Sequence, residues 1–184
     1  AALLAMLRGD LDRDAPLFLF VNIADAHQPW APVPDGLGWL PPRDGFHWEV
    51  GGEDDLWAKW FRDELPLKAR EALLAQLSDV YDHGVYQADA NLGLLLDRLE
   101  AYGWLSGGLR LVVTSDHGEY LGERRLLGHG RVPMPEVTHV PLVIAAPGRL
   151  PGSVRVEAPV GAHRLYGALL SLSGVDPSAD RALI

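Results

Sequence analysis

The stretch Leu111-Val-Val-Thr-Ser-Asp-His-Gly-Glu119 constrains the fold more than any other part of this chain. Residues 109–114 are a short apolar and β-branched run, the pattern of a buried strand. The run stops abruptly at Asp116, His117 and Gly118. In an open α/β sheet, side chains at the carboxyl end of a strand face the crevice where ligands bind. Asp116 offers a hard oxygen and His117 a borderline nitrogen, which together are half of a divalent-metal site. Gly118 frees the backbone to turn after them. A plainer reading of the same residues is a polar turn, with Asp116 capping the next segment and His117 in solvent. Ser-Asp-His-Gly by itself does not separate the two.

A second run repeats the arrangement. Residues 17–23, Leu-Phe-Leu-Phe-Val-Asn-Ile, read as a strand covered on both faces. The run stops at Asp25-Ala-His27-Gln-Pro-Trp30, so His27 stands at a strand end, as His117 does. Pro29 biases Gln28 away from helix and sends the chain out extended. A third buried strand is expected within residues 137–145, where Pro141 fits only at the first position or on an edge. His139 precedes that strand and reads as structural.

Between the first two runs lies one long helix. Pro66 suits a first helical turn. Leu73, Leu77, Tyr81, Val85, Ala88, Leu92, Leu95 or Leu96, Leu99 and Tyr102 then recur at three- and four-residue steps, with Gly103 as the C-cap. This predicts a helix of about 35 residues, roughly 50 Å long. Gly84 and Gly93 inside it serve close packing or a bend, and Asp82, His83, Asp89 and Asp97 belong to its solvated face. Residues 31–65 are rich in Pro, Gly and Trp without lasting periodicity. They read as an insertion loop, either shaping a substrate site or pinned to the body by Trp39, Trp48, Trp57 and Trp60. Elsewhere, residues 1–7 read as the end of an apolar helix already under way, residues 154–160 as a brief edge strand, and residues 163–172 as a helix ended by Gly174. His129 lies between two glycines in Leu126-Leu-Gly-His-Gly130, a loop that can present its ring freely.

The composition removes several function classes. The 184 residues fit one domain or a large part of one. A formal charge of −9 with no Lys/Arg cluster argues against a nucleic-acid surface. The absence of cysteine rules out disulfides, thiolate metal sites and a cysteine nucleophile within this chain. No apolar run approaches the ~18 residues of a membrane span.

The order of these features resembles the sulfatase family of the alkaline-phosphatase-like superfamily. Strand and Asp-x-His-x-Pro-aromatic are followed by a long helix, then by strand and Ser-Asp-His-Gly-Glu, Leu-Gly-His-Gly, and a His-Val-Pro-Leu strand. Residues 18–30, 81–103, 111–130 and 136–148 carry the likeness, and residues 160–175 carry it more weakly. Each motif is weak alone; their order and spacing carry the match.

The resemblance implies an α/β fold, an alkaline-phosphatase-like mixed sheet flanked by helices, spanning residues 1–184 as part of a catalytic domain whose N-terminal part is missing. It implies a sulfuric-ester hydrolase acting on a small-molecule or glycan ester with a divalent cation, calcium first, with manganese, magnesium or zinc as alternatives. Asp116 and His117 fall on the family's metal-binding pair. His27 falls on the imidazole that contacts the transferred group or the nucleophile. His129 falls on the Lys-or-His position that contacts the sulfuryl oxygens or aids the leaving group. A cation neutralises charge on the transferring group, and imidazoles hold oxygens and move protons near neutral pH. Bacterial relatives are often exported.

Two departures stand out. The family's paired N-terminal acids and its Cys- or Ser-x-Pro-x-Arg segment have no counterpart here, so a formylglycine nucleophile would lie outside this chain. Arg164 and Ala168 stand where the closing helix often has Asp and Thr. The expectation is a chain inactive in isolation. Rival readings are a phosphodiesterase, phosphonate monoester hydrolase or phosphoglycerol transferase of the same superfamily, a non-catalytic module binding through the Trp-rich loop, and an unrelated α/β protein with these side chains scattered.

Overall fold

In the computed structural model, residues 2–9, 11–12, 15–47, 55–106 and 108–176 are described. In chain order the elements are α1 (Ala2–Gly9), α2 (Leu56–Phe61), α3 (Leu67–Ala101), β1 (Leu111–Thr114), β2 (Tyr120–Leu121), β3 (Leu127–Gly128), α4 (Pro135–Thr138), β4 (Leu142–Ala145) and α5 (Leu165–Ser173). They fall into two compact units, Ala1–Trp104 with His117–Thr138 and Leu105–Asp116 with His139–Ile184. Among the described residues no helix is long and apolar enough to cross a membrane.

The first unit is built on α3, which runs for 35 residues. Leu73, Leu77 and Val80 are its most consistently buried face, at steps of four and three, as a helix packing on one side requires. Onto that face fold Trp30, Val33, Phe46, Trp60, Leu65 and Leu127 to make one core. The segment rich in Pro, Gly and Trp is therefore held down in two ways. Its first part is clamped by two antiparallel bridges, Trp30 with Phe46 and Val33 with Arg43. These exchange backbone hydrogen bonds of 2.9–3.1 Å. Its later part forms α2, where Asp55 caps the helix by accepting from the Ala58 amide at 2.9 Å. Trp39 rests edge-on against Tyr86 at 5.7 Å; Trp48 lies outside the described residues. Pro66 is the N-cap of α3, one residue before its first turn, and Gly103 takes φ +79° just past the C-cap Tyr102.

Several expectations are corrected. His83 is not on a solvated face: it is 4% exposed, and its Nδ1 has no hydrogen-bond partner. Val85 is the exposed neighbour instead, because the buried stripe passes through Val80 and Gly84. Residues 17–23 form no strand. Phe18 and Phe20, which share a face if the backbone is extended, are 73% and 82% exposed, and no described segment offers them a ladder partner. An apolar run becomes a strand only where another backbone satisfies its amides and carbonyls. The expected third strand is split. Val137 is buried in the short helix α4, and only Leu142–Ala145 is strand. Residues 154–160 pair with nothing among the described residues, and Val154, Val156 and Val160 are exposed.

The second unit holds β1 and β4, antiparallel, with Leu111 opposite Ala145 and Thr114 opposite Leu142. Pro141 sits just before β4, where its missing N–H costs no ladder bond, and its carbonyl accepts from Thr114 Oγ1 at 2.9 Å. A 3₁₀ turn over Ala162–Arg164 leads into α5. Gly174, at φ +79°, ends α5, with the Val175 amide reaching back to the Leu170 carbonyl at 2.9 Å. Arg149 donates to the Leu172 carbonyl at 3.3 Å.

Candidate active site

The site grows from the β2–β3 hairpin in the first unit. Tyr120 pairs with Gly128 and Leu121 with Leu127, antiparallel. Carrying that register one residue outward sets Glu119 opposite His129, and the pair is in contact. His129 Nδ1–H donates to both carboxylate oxygens of Glu119, at 3.1 and 3.2 Å. The Glu119 side chain is 6% exposed, so this is a shielded pair rather than a loose surface contact. Nearby, the Tyr81 hydroxyl is pushed above its ordinary range, first by burial and then by the Glu119 and Asp82 charges. Tyr120 anchors the same loop: its hydroxyl donates to the Val132 carbonyl at 2.9 Å and accepts from the Met134 amide at 3.3 Å.

Two further imidazoles meet His129. The His117 ring stacks on it at 4.1 Å between centroids, and the His27 ring lies 5.5 Å away. Each is delivered by a close backbone approach. The Gly118 amide donates to the Val137 carbonyl at 2.9 Å, and a Cβ on Gly118 would run into the Glu136 carbonyl oxygen. Gly118 therefore serves by its lack of bulk, not by a left-handed turn. The His27 turn, in which the His27 amide donates to the Ala24 carbonyl at 3.0 Å, rests on α3 at Gly84. There a Cβ would meet the Asp25 carbonyl oxygen and the Ala26 Cα.

The three rings share one hydrogen-bonding pattern. A carbonyl or carboxylate oxygen can only accept, so the Nδ1 nitrogens facing them carry the proton. His117 Nδ1–H donates to the Gly118 carbonyl at 2.8 Å, His27 Nδ1–H to the Gln28 carbonyl at 2.5 Å, and His129 Nδ1–H to Glu119. In the neutral state Nε2 is then the acceptor nitrogen of all three, the one able to ligate a cation or take a proton.

The loop carrying His129 is fastened to α2. Trp60 Nε1 donates to the Arg125 carbonyl at 2.9 Å, and Arg125 pairs with Asp63 at 2.8 Å. Arg70 pairs with the same carboxylate, and its hydrogen bond, with the Arg125 and Arg70 charges, holds the Asp63 carboxyl below its usual range. Gly128, at φ +72°, lies under the Trp57 ring, with 2.7 Å between a built Cβ and the ring edge. Arg131 lies over Phe61 and Trp57 at 4.2 and 5.5 Å. The sequence reading missed α2 in this role. The role of Glu119 has a signal in the sequence: apolar pairs flanking Gly122-Glu-Arg-Arg indicate a hairpin that would oppose Glu119 and His129.

Asp116 belongs to the second unit, and Ser115 Oγ donates to its carboxylate at 3.4 Å. Among the described residues no three His, Asp or Glu side chains are arranged to hold a metal ion. Asp116 and His117, adjacent in the chain, have donor types that divalent cations take, a carboxylate oxygen and an imidazole nitrogen.

A family model described as Sulfatase matches residues 3–175. The chain belongs to the sulfatase family. It is 26% identical over 172 residues to a protein of Escherichia coli (strain K12) named uncharacterized sulfatase YidJ, covering 89% of this chain and 33% of that protein. The chain thus spans about a third of the length of the curated relative it matches. No solved structure matches significantly. The α/β architecture, with helices and small sheets, fits the alkaline-phosphatase-like domain of this family.

Proposed function

We propose that this chain supplies the oxyanion-handling half of a metal-dependent sulfuric-ester hydrolase, and that the nucleophile and the paired acidic ligands come from sequence outside it. The observation carrying this reading is the convergence of His27, His117 and His129 with each Nδ1–H taken up by the protein, which leaves every Nε2 for the site, a donor to ester oxygens when the ring is charged and a cation ligand or proton acceptor when it is neutral. Sulfuryl transfer needs groups that hold the equatorial oxygens and a proton donor at the leaving oxygen. Imidazoles near neutral pH can do both. His129, restrained by Glu119 through Nδ1, would protonate the leaving oxygen from Nε2 in its charged form. His27, on the turn packed at Gly84, would contact the transferred group. Asp116 and His117 would hold a divalent cation, calcium first, which when bound neutralises charge on the ester. Residues 31–65, as an insertion within the 1–184 catalytic part, would shape the substrate entrance.

The test is hydrolysis of an aryl sulfate in the presence of calcium. The purified chain is expected to show no turnover. Measurable metal-dependent turnover by this chain would overturn the division of labour. A longer protein containing it is expected to hydrolyse the ester and to lose at least about a hundredfold in rate on His129→Ala, the lower range for removing one acid–base group. Equal activity of that variant would overturn the role of His129. Faster hydrolysis of an aryl phosphate diester than of the sulfate would move the chemistry to the phosphoesterase branch.

A further inference from the structure

We infer that Arg131 is a second anion-binding position beside the imidazole cluster, so that the favoured ester carries another negative group, such as a carboxylate or a second sulfate. This rests on the reading above, in which His27 and His129 meet the ester and His117 stacks on His129.

Three arginines lie on the segment after β2, and they differ. Arg124 pairs with Glu136 at 3.1 Å and Arg125 with Asp63 at 2.8 Å, so their charges are spent within the protein. Arg131 is exposed, and among the described residues it faces two aromatic rings and no carboxylate. Its placement is built rather than incidental. Phe61 and Trp57 come from α2, which Asp55 caps and which Trp60 and Asp63 tie to the same loop. The cation–π contacts hold the guanidinium over the rings, and its N–H groups can still meet a planar or tetrahedral oxyanion. The position is also tied to the cluster: Arg131 is two residues from His129, with Gly130 at φ +88° between them. An ester held at the imidazoles would thus bring a second anion, a few bonds away, within reach of a fork whose stem is already ordered. Glu119, on the same hairpin, is buried and engaged by His129, so it does not compete for Arg131.

The experiment titrates the chain, in calcium-containing buffer, with two non-hydrolysable probes, benzenesulfonate and meta-benzenedisulfonate, following the imidazole and guanidinium NMR signals. Both probes should shift His27, His117 and His129. The disulfonate should bind about three- to tenfold more tightly and also shift Arg131, the range for one charge-assisted contact at an exposed site. Arg131→Gln keeps a planar group over the rings, and an unchanged circular dichroism spectrum shows that it folds. It should abolish the disulfonate's advantage and leave the monosulfonate affinity unchanged. If both probes move the imidazoles with equal affinity, or if Arg131→Gln keeps the advantage, the second position is wrong while the oxyanion reading stands. If neither probe moves the three imidazoles, the oxyanion reading fails and this inference falls with it.

Discussion

Replacing Gly84 and Gly93 by alanine, one at a time, subjects the same helix to the same change with opposite expected signs. Both lie inside α3, where Ala is favoured over Gly by about 1 kcal/mol. Around Gly93 a built Cβ meets nothing within 4 Å, so Gly93→Ala should stabilise the chain by about 0.5–1 kcal/mol. At Gly84 the new methyl would collide with the Asp25 carbonyl oxygen and the Ala26 Cα. Both are backbone atoms, which cannot rotate aside as a side-chain tip would. Overpacking of this kind costs about 1–3 kcal/mol. Against a propensity gain of about 1 kcal/mol, the net effect should run from near zero to a loss of about 2 kcal/mol. The two variants should then differ by roughly 1–3 kcal/mol in urea unfolding, or several degrees in Tm at about 2–4 °C per kcal/mol for a chain of this size. The His27 ring signals should move in Gly84→Ala and stay in place in Gly93→Ala, because only Gly84 supports the turn that carries His27. If Gly84→Ala stabilises as much as Gly93→Ala and leaves His27 unmoved, the close approach is not what positions that turn.

Other outcomes follow from the same contacts. Glu119→Ala leaves the Nδ1–H of a half-buried His129 without its acceptor and should cost about 1–3 kcal/mol in thermal unfolding, whereas Glu119→Gln, which keeps an acceptor, should cost less. Tyr81 holds its proton in the folded chain above the unfolded value of about 10, so stability should be level below that pH and fall as pH rises through and beyond it. The loss should shrink in Tyr81→Phe, as read by the difference in urea midpoints, and an unchanged slope would count against the buried setting of this hydroxyl. Phe18→Ser with Phe20→Ser should change stability by less than about 0.5 kcal/mol, since both rings are exposed, and should raise the solubility limit. A large loss in equilibrium unfolding would show that these rings are packed in solution.

What the sequence disclosed depended on how local the cause was. The α3 helix was legible almost to the residue because 35 positions repeat one period and Gly103 closes it. Strand β1 was legible from its apolar run, and α5 from its spacing and Gly174. Residues 17–23 misled because an apolar run states a wish to be covered and not which backbone will cover it. Val137 misled because Pro135, a good first helical residue, starts a short helix that the apolar pattern alone did not show. His83 was placed by its polarity on the wet side of α3, whereas the phase of the buried stripe turns it inward. At the site, the three imidazoles came from motif order. Glu119, Trp57, Phe61 and Arg131 did not, since their roles come from a hairpin register and a docked helix that join residues far apart in the chain.

The most direct test is the state of the imidazole nitrogens. The chain has seven histidines, so the long-range proton–nitrogen spectrum of the histidine-labelled protein is assignable by single substitutions. With the rings neutral, His27, His117 and His129 should carry the proton on Nδ1; with the rings charged, when Nε2 also bears a proton and can donate, added inorganic sulfate should shift their Nε2 resonances together while leaving His47, His139 and His163 in place. Protons found on Nε2 in these three rings, or sulfate responses scattered over the other histidines, would contradict the account.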